Sequence, residues 1–126
     1  VSKSPKQILI EAKALIANPE NWCQGDYARD SDGLPTGALD EDACCRCSLG
    51  AVGCAAGVDP NGFVPDLATT IRLLDAAALE LVKRQHPLAA FVSIVELNDG
   101  EERVPDMNEH QAVMAAFDLA IERAQA

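Results

Sequence analysis

The stretch Asp42–Gly57, DACCRCSLGAVGCAAG, holds four of the chain's five cysteines and three of its eight glycines, with little side-chain bulk. Residues this small bury little surface themselves, so they suit places where neighbouring elements come close. Cys44, Cys47, Ala51 and Cys54 recur at helical spacing, and Gly50, Gly53 and Gly57 fall at steps of three and four. The pattern predicts a helix over Asp42–Gly57, capped by Asp40 or Asp42 and stopped at Gly57. In such a helix a free cysteine is a small apolar filler. Each internal glycine costs up to about 1 kcal/mol against alanine, which close approach of another helix must offset.

The flanking sequence supplies partners for that helix. Ser4-Pro5 opens a helix whose face is Ile8, Ala12, Leu15 and Ile16, ending at Asn18-Pro19. A turn at Asn21-Trp22-Cys23 would drop the single Trp into the core. A long apolar face, Leu67, Ile71, Leu74, Ala78, Leu81 and Val82, predicts a helix from Pro65 to Gln85 after a turn-rich link over 58–64. Phe91, Val92, Ile94 and Val95 fit a short buried helix or a strand; helix is preferred because no second strand is visible to pair with it. Asn98-Asp99-Gly100 is a turn signal. Asn108 with Gln111 makes a capping box for a last helix bearing Val113, Met114, Phe117, Ala120, Ile121 and Ala124. The expected fold is therefore all-α, one domain over 1–126: a compact orthogonal bundle of four to five helices around a buried Cys/Ala/Gly-rich central helix.

Charge and cysteine usage narrow the partners. The formal net charge is -10, which opposes nucleic acid or an anionic membrane as a direct partner. No apolar run reaches the roughly 20 residues needed to cross a bilayer. The charged start has no apolar stretch behind it, so no secretory signal is expected, and the odd number of cysteines fits reduced thiols in the cytoplasm. The acidity is concentrated. Residues 19–43 carry seven acids against Arg29, and residues 96–109 carry six against Arg103. Two acidic loops thus hold the electrostatic character, with a basic protein or small ligand as the partner such a surface would take.

For the cysteines, a structural role outranks reactive chemistry. A zinc knuckle needs two CxxC pairs; only Cys44 to Cys47 has that spacing, so no metal or other cofactor is assigned. A thiol nucleophile at Cys44 or Cys45 needs a base, and His86 and His110, the two histidines, stand in no catalytic pattern. Three acids just before the cysteines would also oppose a thiolate. Asp30-Ser31-Asp32-Gly33 looks like a calcium loop but lacks carboxylates at its first and twelfth positions, Ala28 and Leu39. No phosphate loop, dinucleotide fingerprint or hydrolase elbow is present.

Several short motifs occur together: Trp22-Cys23-Gln24-Gly25, Tyr27-Ala28-Arg29-Asp30 with Gly33, Cys47-Ser48-Leu49-Gly50-Ala51, and Asn98-Asp99. In these the chain resembles a family of small uncharacterised bacterial and phage proteins, a domain of unknown function, over nearly its whole length. It departs from that pattern at Glu101-Glu102-Arg103-Val104-Pro105, where a Gly-Arg-Thr-like turn would stand. The resemblance implies a compact helical fold and no known activity. It gathers Trp22, Gln24, Arg29, Asp30, Asn98 and Asp99 into one candidate binding set. Polar residues on loops held by a rigid scaffold hint at function; equally, Arg29 pairing with Asp99 or Asp30, and Asn98 capping a turn, would simply pin the long loop. The expected role is a binding or regulatory module acting through the acidic loops. The alternative is a thiol- or metal-dependent enzyme, or a redox switch, at Cys44, Cys45 and Cys47.

Overall fold

A computed structural model describes residues 3–60, 62 and 64–125. Of the link expected over 58–64, Asn61 and Phe63 lie outside the described residues. Three helices follow from their apolar period, and two of them, α1 and α5, from side-chain caps as well. Helix α1 (Pro5–Ile16) starts at Ser4, whose hydroxyl accepts from Gln7 N, with Pro5 in the first turn where a missing N–H is harmless. Helix α3 spans Pro65–Lys83 and buries Leu67, Leu74, Ala78, Leu81 and Val82. Helix α5 (Glu109–Arg123) opens on the reciprocal Asn108–Gln111 capping box. Pro19–Asn21 forms a single 3-10 turn capped by Asn18.

The all-α expectation is corrected by a small sheet. Strands β1 (Ala28–Arg29), β2 (Pro35–Thr36) and β3 (Cys45–Arg46) form an antiparallel sheet in the order β2-β1-β3, so the fold is mixed. Ala28 pairs with Thr36 on one side and Arg46 on the other; Arg29 pairs with Pro35 and Cys45. The central element is accordingly shorter than expected. Helix α2 is Ser48–Ala56, with Cys47 as its N-cap. Asp40 and Asp42 do not cap it; Asp40 instead accepts from Asp42 N in a turn. Cys44 and Cys45 precede the helix, and the helical spacing of Cys44 with Cys47, Ala51 and Cys54 is a coincidence of sequence. The predicted stop holds: Gly57 ends α2 with a left-handed φ of 72°.

The glycines of α2 do admit close neighbours, but not another helix. A Cβ on Gly50 would lie 2.0 Å from Tyr27 O, and one on Gly53 would lie 2.7 Å from Pro60 Cγ. The Asp26–Ala28 backbone and the chain turn after α2 fill those gaps. On its other faces α2 packs against α1, α3 and the short α4 (Ile94–Asp99). Phe117, Leu9, Ile16, Leu74, Ile94, Leu97, Val52 and Val113 are fully buried at the centre.

Residues 84–93 form no helix, and α4 begins only at Ile94, set by the Ser93–Glu96 capping box. Ile94 and Val92 are buried as expected of an apolar run, yet Phe91 is 90% exposed. The main chain there is fixed by polar ties, including Ile94 N to Asp75 Oδ1 at 2.8 Å, rather than by Phe91 entering the core. Asn98 and Asp99 are the last turn of α4, and Gly100 is its left-handed cap.

Candidate functional site

One side chain gathers the segment after α1, the start of α2 and the end of α4. Asn98 is 1% exposed, its position fixed by Leu97 and Ile94 anchoring α4 in the core. Its Oδ1 accepts from Trp22 Nε1 (2.8 Å), Ser48 N (3.0 Å) and Ser48 Oγ (2.6 Å). Its Nδ2 donates to Cys23 O (3.1 Å) and Asp99 Oδ1 (2.9 Å). The main chain joins in: Gln24 Nε2 donates to Asn98 O (2.9 Å), and Gly25 N to Asp99 Oδ1 (3.0 Å). A buried amide needs such partners, because an unmet polar group out of water costs about 1–3 kcal/mol. Trp22 is half-buried against the core, in a T-shaped contact with the His110 ring, centroids 5.3 Å apart.

The six candidate residues therefore divide. Trp22, Gln24, Asn98 and Asp99 belong to one hydrogen-bonded network. Arg29 is tied to its edge, donating from Nε to Asp26 Oδ2 (2.9 Å) and from a terminal guanidinium nitrogen to Gln24 O (2.6 Å). Its carboxylate partner is thus Asp26, not Asp99 or Asp30. Asp30 stands apart: its Oδ1 accepts from Asp32 N and Leu34 N, closing the turn between β1 and β2. Asn98 fills the contact between segments rather than capping a surface turn.

Two openings flank the network. A cavity of about 260 Å³ is lined by Gly25, Asp26, Tyr27, Cys47, Ser48, Leu49, Val95, Asn98 and Asp99. Its walls are mostly apolar, with the Asp26 and Asp99 carboxylates at one side. A more open cleft of about 570 Å³ carries Trp22, Gln24, Arg29, Asp30, Cys23, Cys44 and Cys45. Sequence reasoning missed Ser48, Asp26, Tyr27, Leu49 and Val95. The motif Cys47-Ser48-Leu49-Gly50 carries the signal for the first cavity, masked by a helical period that begins upstream of it.

The thiols are held in their neutral form where the structure buries them. Burial pushes Cys47 up, against the Gly50 and Leu49 amides that favour its thiolate. Cys23 is pushed up from 9.0 to about 12, first by burial, then by its hydrogen bond to Cys45 and the charges of Cys45 and Cys47, opposed by Arg29. A proton held more tightly in the folded than in the unfolded chain gives stability that is full below the unfolded pKa and is lost as pH rises through the folded one. Under reducing conditions the urea midpoint should therefore fall progressively from about pH 9 towards about pH 12, and fall less in Cys23→Ala. Equal slopes in the two proteins would contradict this assignment. Among the described residues no group of three His, Cys, Asp or Glu side chains is placed to hold a metal ion, and no helix is long and apolar enough to cross a membrane.

The motif resemblance has its counterpart in a family model: the chain belongs to the family of unknown function DUF6197, whose model matches residues 1–123. No curated protein and no solved structure matches the chain.

Proposed function

We propose that this chain is a binding module that captures a basic group of a protein partner at the cavity where its two acidic segments meet. One observation carries the reading. The bonds from Gln24 and Gly25 to Asn98 and Asp99 set the Gln24–Asp26 part of the first acidic segment beside the end of α4. Asp26 from one acidic segment and Asp99 from the other then line the same cavity, with Tyr27, Leu49 and Val95 as its apolar walls. A lysine or arginine side chain suits such a place: its aliphatic stem packs on the walls while its head meets carboxylates. The surrounding segments, rich in acids, would speed encounter with a basic surface. Catalysis by Cys44, Cys45 and Cys47 draws less support, since burial disfavours the Cys47 thiolate and no histidine lines either opening.

The test is titration with a helical Lys/Arg-rich peptide, followed by calorimetry. Raising salt from about 20 mM to about 300 mM should weaken binding roughly tenfold or more, because the screening length shrinks several-fold. The double substitution Asp26→Asn with Asp99→Asn should weaken it comparably at low salt while keeping the acceptor for Gly25 N. Affinity indifferent to both salt and these substitutions would overturn the reading.

A further inference from the structure

Outside the proposed binding cavity, the larger cleft brings together Cys23, Cys44 and Cys45. Cys23 lies on the segment after α1, and Cys45 lies on β3, 22 positions later in the sequence. Their backbones are locked side by side: Trp22 bridges Arg46 in parallel, and Cys23 N donates to Arg46 O at 3.0 Å. Side chains alternate along extended backbone, so Cys45 turns to the face opposite Arg46, the face Cys23 occupies. Cys23 is buried, Cys45 is half-buried, and both line the cleft. Arg29, the β1 partner of Cys45, lies along the same cleft.

We propose that Cys23 and Cys45 form a reversible dithiol–disulfide site, whose oxidant is a low-molecular-weight disulfide of the glutathione class. Cys45, the more exposed of the two, attacks first. Its sulfur bonds to one sulfur of the oxidant, the oxidant's S–S bond breaks, and one small thiol leaves, taking the proton that Cys45 gave up. Cys23 then attacks the Cys45 sulfur, forming the intramolecular bond and releasing the second small thiol with the proton from Cys23. Two cysteine thiols are oxidised and one small disulfide is reduced to two thiols. The order follows from the surroundings. Cys23 is a poor first attacker because burial, the neighbouring Cys45 and its own hydrogen bond to Asp26 O (3.6 Å) hold its proton. Capping Cys45 as a mixed disulfide removes the Cys45 charge, so the second step becomes easier. The closed form would tie the Trp22–Gln24 segment covalently to β3. This inference does not rest on the proposed binding role.

The experiment is to incubate the folded protein with oxidised glutathione, quench in acid, alkylate free thiols and map peptides by mass spectrometry. The expected product has two of the five thiols protected in a Cys23–Cys45 linkage. Its Tm should exceed that of the reduced protein by roughly 5–10 °C, as for closure of a loop of this length. Cys44→Ser should close as the parent does, and Cys45→Ser should not form the linkage. A glutathione adduct that persists on Cys44 or Cys45 while Cys23 remains alkylatable would overturn the proposal. So would a linkage among Cys44, Cys45 and Cys47. The parent protein alone decides between these outcomes, even if a variant folds poorly.

Discussion

Asn98→Ala is expected to lower the unfolding free energy by about 3–5 kcal/mol in urea titration, among the largest effects of any single substitution in this chain. Removing the amide leaves Trp22 Nε1, Ser48 N and Ser48 Oγ without their shared acceptor, and Cys23 O without its donor. These groups belong to two parts of the chain far apart in sequence, Trp22–Cys23 and Ser48, so no one local shift can restore them all. Asn98→Asp keeps shape and acceptor but turns an oxygen toward Cys23 O and Asp99 Oδ1, where a donor stood. It should be destabilising near neutral pH and partly relieved in acid, as the new carboxyl regains a proton. A residue merely capping a surface turn would change stability by less than about 0.5 kcal/mol on truncation.

Gly50→Ala should destabilise by about 3 kcal/mol or more, against the direction that helix propensity alone gives. Propensity would favour alanine inside α2 by about 1 kcal/mol. The added Cβ, however, would sit 2.0 Å from Tyr27 O and 2.9 Å from Tyr27 C. Those atoms are backbone, and Tyr27 O is itself held by Cys47 N at 3.1 Å. Relief requires β1 to move away from α2, which disturbs the walls of the smaller cavity as well. Gly57→Ala is the useful comparison. It meets nothing within 4 Å and bears only the strain of φ +72°, so about 1 kcal/mol is expected. Denaturant midpoints for the two variants separate steric exclusion from backbone strain.

The parts legible from sequence were those written in local signals. Ser4-Pro5, the Asn108–Gln111 box and the long apolar stripe of α3 each state a helix within a few neighbouring residues. The sheet has no such signal. Its strands are two residues long, too short for alternation, and exist because distant backbone groups meet, as in Cys44 N to Arg29 O and Cys47 N to Tyr27 O. The start of α2 was misplaced for a related reason. Asp40 and Asp42 are better caps by type than cysteine, yet Cys47 Sγ accepts from Gly50 N at 3.4 Å, and the preceding residues are taken by β3. Phe91 misled because bulk and hydrophobicity say nothing of whether the backbone turns a side chain inward. For the site, the motifs brought out Trp22, Gln24, Asn98 and Asp99, which the fold does join. They gave no hint that Asn98 is buried, that Ser48 shares its oxygen, or that Arg29 takes Asp26.

The account depends on the Asn98 side chain holding the Trp22–Gly25 segment against α2 and α4, which is what brings the two acidic segments together. Amide hydrogen exchange in the parent and in Asn98→Ala, under native conditions, tests this directly. The predicted result is loss of protection at Cys23, Gly25 and Ser48 in the variant, while the amides of α3 and α5 keep an excess of protection over them. Unchanged protection at those three amides would contradict it.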